Sequence, residues 1–176
     1  MLFWHVGATI AFTRYAFRDE AMDLRFLAIG AILPDLIDSP IGLVFWSHLQ
    51  TVRLAAHTLV FATALLVAVM AATRRGRPRK RWMPLAIGVL LHLVLDAMWR
   101  FPMTLWWPFL GWQFDATSFA SVGAYLEWLL TDLRTWGLEA LGLAYLAVLA
   151  HRSDLGDPDA RRLLVTTGRV QAPIGR

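Results

Sequence analysis

Leu54–Thr73 reads LAAHTLVFATALLVAVMAAT, Met83–Trp99 reads MPLAIGVLLHLVLDAMW, and between them Arg74, Arg75, Arg77, Arg79, Lys80 and Arg81 crowd into eight residues. The first stretch has twenty residues and a single ionisable side chain, His57. About 20 apolar residues, rising 1.5 Å each, cross a bilayer core. A short basic segment between two such stretches is the pattern of a cytoplasmic loop joining two membrane helices. The composition agrees. Of 176 residues, 57% are apolar and 17% charged, against about 45–50% and about 25% in soluble domains. Mean hydropathy is +0.50. These values exclude intrinsic disorder and point away from a water-soluble globule.

Working outward, Trp136–Ala150 is a third apolar run, and Met1–Phe17 and Leu24–Leu33 are shorter ones. Pro34 disfavours helix at Leu33 and is expected to end the helix there. No basic residue precedes the first apolar run, and Arg14 and Arg18 follow it, so it reads as a retained helix and not a cleaved leader. Placing Arg74–Arg81 in the cytoplasm predicts five spans, with the N-terminus outside and the C-terminus inside. Of 17 Lys and Arg residues, only Arg53, Arg100 and Arg134 then lie outside, as the positive-inside rule requires. The expected fold is an all-α polytopic membrane bundle, residues 1–152. Residues 153–176 turn polar and read as a mobile tail. Residues 100–135 form an outer segment rich in Trp and Phe. Within it, Thr117–Leu133 reads as an interfacial or re-entrant helix carrying Glu127.

The chain has no cysteine, which excludes disulfides, thiolate nucleophiles and Cys-ligated metal. A metal site must draw on His, Asp and Glu. Ionisable side chains within membrane helices are costly, so each is a functional candidate. His92 and Asp96 stand four apart and share a helix face. Gly88, one turn earlier, would admit a neighbouring backbone. A His–Asp hydrogen bond between helices is the alternative reading of that pair. Asp35 and Asp38 lie in AILPDLIDSP, where helix-end and turn chemistry is equally open. The topology, drawn from Lys and Arg alone, nevertheless sets His5, Asp35, Asp38, His57, His92 and Asp96 all in the outer half of the bundle. Three His and three Asp suit zinc or another divalent ion. Several carboxylates can hold more than one ion for displacement at phosphorus. No GxSxG motif offers a competing nucleophile.

The ordered motifs are His5-Val6-Gly7, Leu33-Pro34-Asp35 to Asp38, Arg53-x-x-x-His57-Thr58-Leu59, and Gly88-x-x-x-His92-x-x-x-Asp96, followed by an aromatic stretch ending in Trp107-Pro108. Together they resemble the YdjM-like family of inner-membrane-associated metal-dependent hydrolases, also described as LexA-binding. More distantly, the pattern is similar to the helical zinc-dependent phospholipase C and P1 nuclease superfamily. The resemblance implies metal binding by His5, Asp35, His57, His92 and Asp96. Asp38 would be a further ligand or, with Asp35, the catalytic carboxylate, and Glu127 a late ligand. Val52 stands where family members often carry His, and Gly123 stands where the zinc phospholipase pattern has one. One or two zinc-like ions are therefore expected.

The implied activity is hydrolysis of a phosphoester or lipid-like substrate by water activated at an outward-facing site, with membrane lipid as the surroundings. A non-catalytic membrane scaffold or partner-binding protein, keeping a structural metal or a polar network, is the alternative. Nucleic acid is not an expected partner. The basic segment is accounted for by orientation and anionic lipid, and it lacks the interleaved aromatics of a single-strand-binding surface.

Overall fold

The computed structural model describes residues 1–19 and 21–172. In chain order the helices are α1 (Leu2–Phe17), α2 (Leu24–Val44), α3 (Trp46–Leu49), a 3₁₀ turn (Ala55–His57), α4 (Leu59–Ala72), α5 (Arg77–Leu95), a second 3₁₀ turn (Met98–Arg100), α6 (Pro102–Leu105), α7 (Val122–Thr131), α8 (Leu133–Arg152) and α9 (Pro158–Thr167). No strand occurs among the described residues. The all-α expectation holds.

Helix α2 is the axis of the bundle. Its buried residues recur at Leu24, Leu27, Gly30, Ala31, Pro34, Asp38 and Gly42, a spacing of three or four that forms one continuous face. Pro34 belongs to that face. The helix therefore runs through Pro34 and Pro40 to Val44 and does not end at Leu33 as expected. An interior proline costs about 3 kcal/mol. Burying side chains such as Leu27, at about 1.5–3 kcal/mol each, offsets it.

Glycines set how closely the other helices approach. A Cβ on Gly30 would lie 2.1 Å from the Leu85 carbonyl oxygen, and one on Gly88 would lie 2.5 Å from that of Leu27. Helices α2 and α5 thus cross backbone to backbone, as the position of Gly88 suggested. Gly7 and Gly142 do the same for α1 and α8, where a Cβ on Gly142 would lie 2.2 Å from the Phe3 carbonyl oxygen. Glu139 on α8 then accepts the Phe3 backbone N–H at 2.7 Å and ties down the start of α1.

The expected span count needs correction. Two helices, α2 and α8, are long and apolar enough to cross a membrane among the described residues. Helix α4 has 14 residues, about 21 Å, and is short for a bilayer core of about 30 Å. It starts at Leu59, not Leu54, because the preceding residues are drawn away into the 3₁₀ turn. Helix α5 begins at Arg77, so most of the supposed basic loop is its first turn, opened by Pro78. Apolar side chains nonetheless face outward, with Leu133 85%, Val44 76% and Val67 62% exposed. Surfaces of this kind suit contact with lipid.

The expected helix over Thr117–Leu133 shortens to α7. Reciprocal 2.8 Å bonds between Thr104 and Asp115 close the aromatic segment before it, and Thr117 donates to the Gln50 carbonyl at 2.8 Å. The polar stretch after Ser153, read as a mobile tail, carries α9. Asp157 caps its start, Pro158 opens it and Gly168 ends it in the left-handed region.

Candidate metal centre

Four segments bring the His and Asp residues together. Helix α1 supplies His5, α2 supplies Asp35 and Asp38, the 51–57 segment supplies Arg53 and His57, and α5 supplies His92 and its C-cap Asp96. Asp38 is the local organiser. Its Oδ2 accepts the backbone N–H groups of Leu54 (2.8 Å) and His57 (3.1 Å), and its Oδ1 accepts that of Ala56 (3.1 Å). One turn along α2, Gly42 lets the same segment pack against the helix. A Cβ there would lie 2.3 Å from the Thr51 carbonyl oxygen. This carboxylate therefore bends the chain into the 3₁₀ turn that sets His57 in place.

The three histidines of the cluster, His5, His57 and His92, are fully buried, and each is held at Nδ1. His57 Nδ1 donates to Asp38 Oδ2 at 2.7 Å, His92 Nδ1 to the Ala31 carbonyl at 2.7 Å, and His5 Nδ1 to the Met1 carbonyl. When Nδ1 carries the proton, a neutral imidazole presents a lone pair at Nε2. The Nε2 atoms of His57 and His92 converge. His57 Nε2 lies 3.2 Å from His92 Nε2 and 3.4 Å from Asp35 Oδ1. His92 Nε2 lies 3.7 Å from Asp35 Oδ1, and Asp96 Oδ2 lies 3.9 Å from His57 Nε2. His5 stacks on His92 with ring centroids 4.3 Å apart, its Nε2 3.0 Å from Asp96 Oδ1. One donor atom each from Asp35, His57, His92 and Asp96 falls within 4.8 Å of every other.

Carboxylate oxygens and unprotonated nitrogens brought this close repel unless a proton or a metal cation lies among them. The donor set of imidazole nitrogen and carboxylate oxygen, each imidazole fixed from behind, fits a divalent ion. One basic side chain partly balances the charge. Arg53 Nε donates to Asp96 Oδ2 at 2.9 Å, and its guanidinium lies 4.6 Å from the Phe101 ring centroid. In the sequence Arg53 stands out only as part of a motif and as an exception to the charge rule. Its place four residues before His57 was the available signal.

The chain matches the family model described as YdjM inner membrane protein over residues 3–155. It belongs to that family. No curated protein and no solved structure matches the chain. The family and the two apolar helices make it a membrane-associated protein.

The family motifs quoted from the sequence meet the geometry unevenly. His5, Asp35, His57, His92 and Asp96 gather in one place. Asp38 sits behind His57 with both oxygens occupied by donors and does not face the convergent lone pairs. Glu127 is exposed on α7 and outside the cluster. Gly123, on the same helix, is exposed too. Val52 is buried against Gly42, and the nearby His48 is exposed on α3. Asp35 is the least buried carboxylate of the cluster, its side chain 33% exposed. It borders a cleft of about 360 Å³ lined largely by apolar side chains, among them Ile32, Leu36, Leu43, Val52 and Leu129, with Tyr125 at its side.

Proposed function

We propose that the protein is a membrane-bound, divalent-metal-dependent hydrolase acting on a phosphoester of lipid-like form. The observation that carries this reading is the convergence of one ligand atom each from Asp35, His57, His92 and Asp96 within 4.8 Å of one another, with the imidazole Nδ1 atoms engaged from behind. With Nδ1 as the protonated nitrogen, His57 Nε2 and His92 Nε2 would face each other and Asp35 Oδ1 as acceptors, an arrangement that a cation satisfies. Asp35, His57, His92 and Asp96 would hold one ion, with His5 completing the set or sharing a second through Asp96. Zinc suits the mixed nitrogen and oxygen donors. When bound, such an ion supplies a nucleophile near neutral pH and withdraws charge from the scissile group.

The chain's own residues would do the rest. Asp38 holds His57 in its tautomer and orientation, the role of a carboxylate behind a metal-bound histidine. The Ala31 carbonyl does the same for His92. Arg53 keeps Asp96 ionised and stands where it can meet a phosphoryl oxygen. The apolar cleft beside Asp35 favours a substrate with a hydrocarbon portion. Basic residues concentrate at the opposite end of the bundle, at Arg14, Arg25, Lys80 and Arg81, which supports a site facing the outer side.

The test is elemental analysis of untagged protein purified in detergent, alongside His92→Ala/Asp96→Ala and the milder Asp35→Asn. The wild type should carry about one or two zinc or manganese ions, as its donor set allows. The folded variants should carry less. Phosphoesterase turnover should follow metal content. A wild type free of metal after reconstitution would sink the reading. Full metal without turnover of any phosphoester would favour the scaffold alternative.

A further inference from the structure

The end of the bundle away from the His/Asp centre carries two adjoining cavities. One, of about 230 Å³, is lined by Asp23, Arg25, Lys80, Arg81, Thr166 and Arg169 among others. The other, of about 490 Å³, is an apolar groove formed by Leu24 and Ala28 of α2, Leu146 and Leu149 of α8, and Leu164 and Val165 of α9. Arg25 lines both.

The basic cavity joins three segments that are distant in sequence. It takes the start of α2, the first turns of α5 and the end of α9. Its acidic neighbours are Asp23, which engages Arg25 at 2.6 Å and stands 4.0 Å from Arg81, and Asp19, which stands 3.5 Å from Lys80. The four cations exceed these two carboxylates among the described residues. Lys80 and Arg81 keep their heads exposed, at 69% and 59%. The groove is lined almost wholly by apolar side chains, as hydrocarbon requires, and it meets the basic cavity at Arg25.

We propose that this joint cavity binds an anionic phospholipid. The headgroup phosphate would sit among Lys80, Arg81 and Arg169, and one acyl chain would lie in the groove under α9. Charge complementarity selects this occupant. A zwitterionic lipid brings its own cation to a pocket already rich in them, whereas basic pockets between helices at a membrane surface favour anionic headgroups. The bound lipid would also staple α9 to α2 and α8. This inference is independent of the metal centre.

Native mass spectrometry of the full chain released from detergent, titrated with dioleoylphosphatidylglycerol or dioleoylphosphatidylcholine, tests it. The anionic lipid should bind about tenfold more tightly or better, and Lys80→Gln/Arg169→Gln should abolish that preference. Ala28→Phe, which fills the groove, should weaken both lipids. Metal content and the circular dichroism spectrum should match wild type in the charge variant, whose side chains are on the surface. Equal binding of the two lipids, or a preference that survives Lys80→Gln/Arg169→Gln, would overturn the proposal. So would displacement of the lipid by millimolar inorganic phosphate, which would reveal an anion site with no role for the chain.

Discussion

Helix α2 buries a carboxylate near each end, Asp23 and Asp38, and the two are used differently. Asp23 is side by side with Arg25, whose Nε and Nη2 reach it at 2.9 and 2.6 Å. Among the described residues no Lys or Arg pairs with Asp38. Its partners are three backbone N–H groups and one imidazole, all from the 54–57 segment. At the Asp23 end the charge is closed off locally. At the Asp38 end it is passed through His57 to a centre where further carboxylates and lone pairs gather. A buried carboxylate alone does not mark a functional site. The mark at Asp38 is that its neighbour His57 carries a second nitrogen into a cluster of further ligand atoms.

The largest effect should come from Asp38. Asp38→Ala strands three backbone donors and the His57 Nδ1–H in a buried place. Each buried group left unpaired costs about 1–3 kcal/mol. A loss of about 4 kcal/mol or more is expected, much of the roughly 5–15 kcal/mol that holds a domain folded. Asp38→Asn tests the reason. It keeps the volume but turns one oxygen into a donor facing donors, so it should stabilise poorly too. Denaturant unfolding in detergent reads both. If Asp38→Ala matched the wild type, the 54–57 segment would be held by something other than this carboxylate.

Next comes the metal. Among the described residues no backbone amide donates to Asp35, whose side chain is partly exposed and whose Oδ2 stands 3.6 Å from the Met1 ammonium, so Asp35→Ala should fold with a melting temperature close to wild type measured without metal. Its zinc affinity should fall at least tenfold, as loss of one donor from a four-donor site implies. Chelation of the wild type should lower its melting temperature, because a ligand bound only to the folded state stabilises it in proportion to occupancy. The same chelation should leave Asp35→Ala nearly unmoved. Together these outcomes would separate the residue that binds from the residue that builds.

Much of the centre was legible in the sequence, and the reason is chemical. His57, His92, Asp35 and Asp96 stand out because ionisable groups in apolar runs are costly, and the charge rule alone put them at one end. What was not legible depends on contacts far along the chain. Asp38 reads as a turn residue or as a further ligand, since nothing local reveals that Leu54, Ala56 and His57 will turn their N–H groups to it. That capture also shortens α4, which hydropathy extends to Leu54. Pro34 reads as a helix end because its local preference is plain, while the buried face from Leu24 to Gly42 that overrides it appears only when α5 is packed alongside. Glu127 matched a pattern position but lies on a helix with no buried residue. The helix α9 was readable: Asp157, Pro158 and Gly168 are ordinary start and stop signals, passed over because the stretch is polar.

The smallest effect should come from the other end of α2, and its pH dependence makes it informative. Burial by itself raises the Asp23 pKa, but the hydrogen bonds from the Arg25 side chain and its positive charge outweigh this and hold it below the ordinary 3.8. A carboxyl whose pKa is lower in the folded chain adds stability that is fully present above the unfolded value. That stability is lost as pH falls through the folded value. Asp23→Asn should therefore cost about 0.5–1.5 kcal/mol at pH 7, where a charge-assisted pair with a partly exposed Arg25 is broken. The gap between variant and wild type should stay constant down to about pH 4 and close below the ordinary 3.8. Metal content should not change, since this end of the helix shares no residue with the centre. A gap that instead closed between pH 5 and 7 would mean that a histidine, not the Asp23 carboxylate, titrates the link. The two ends of α2 would then be coupled, and the contrast between them would fail.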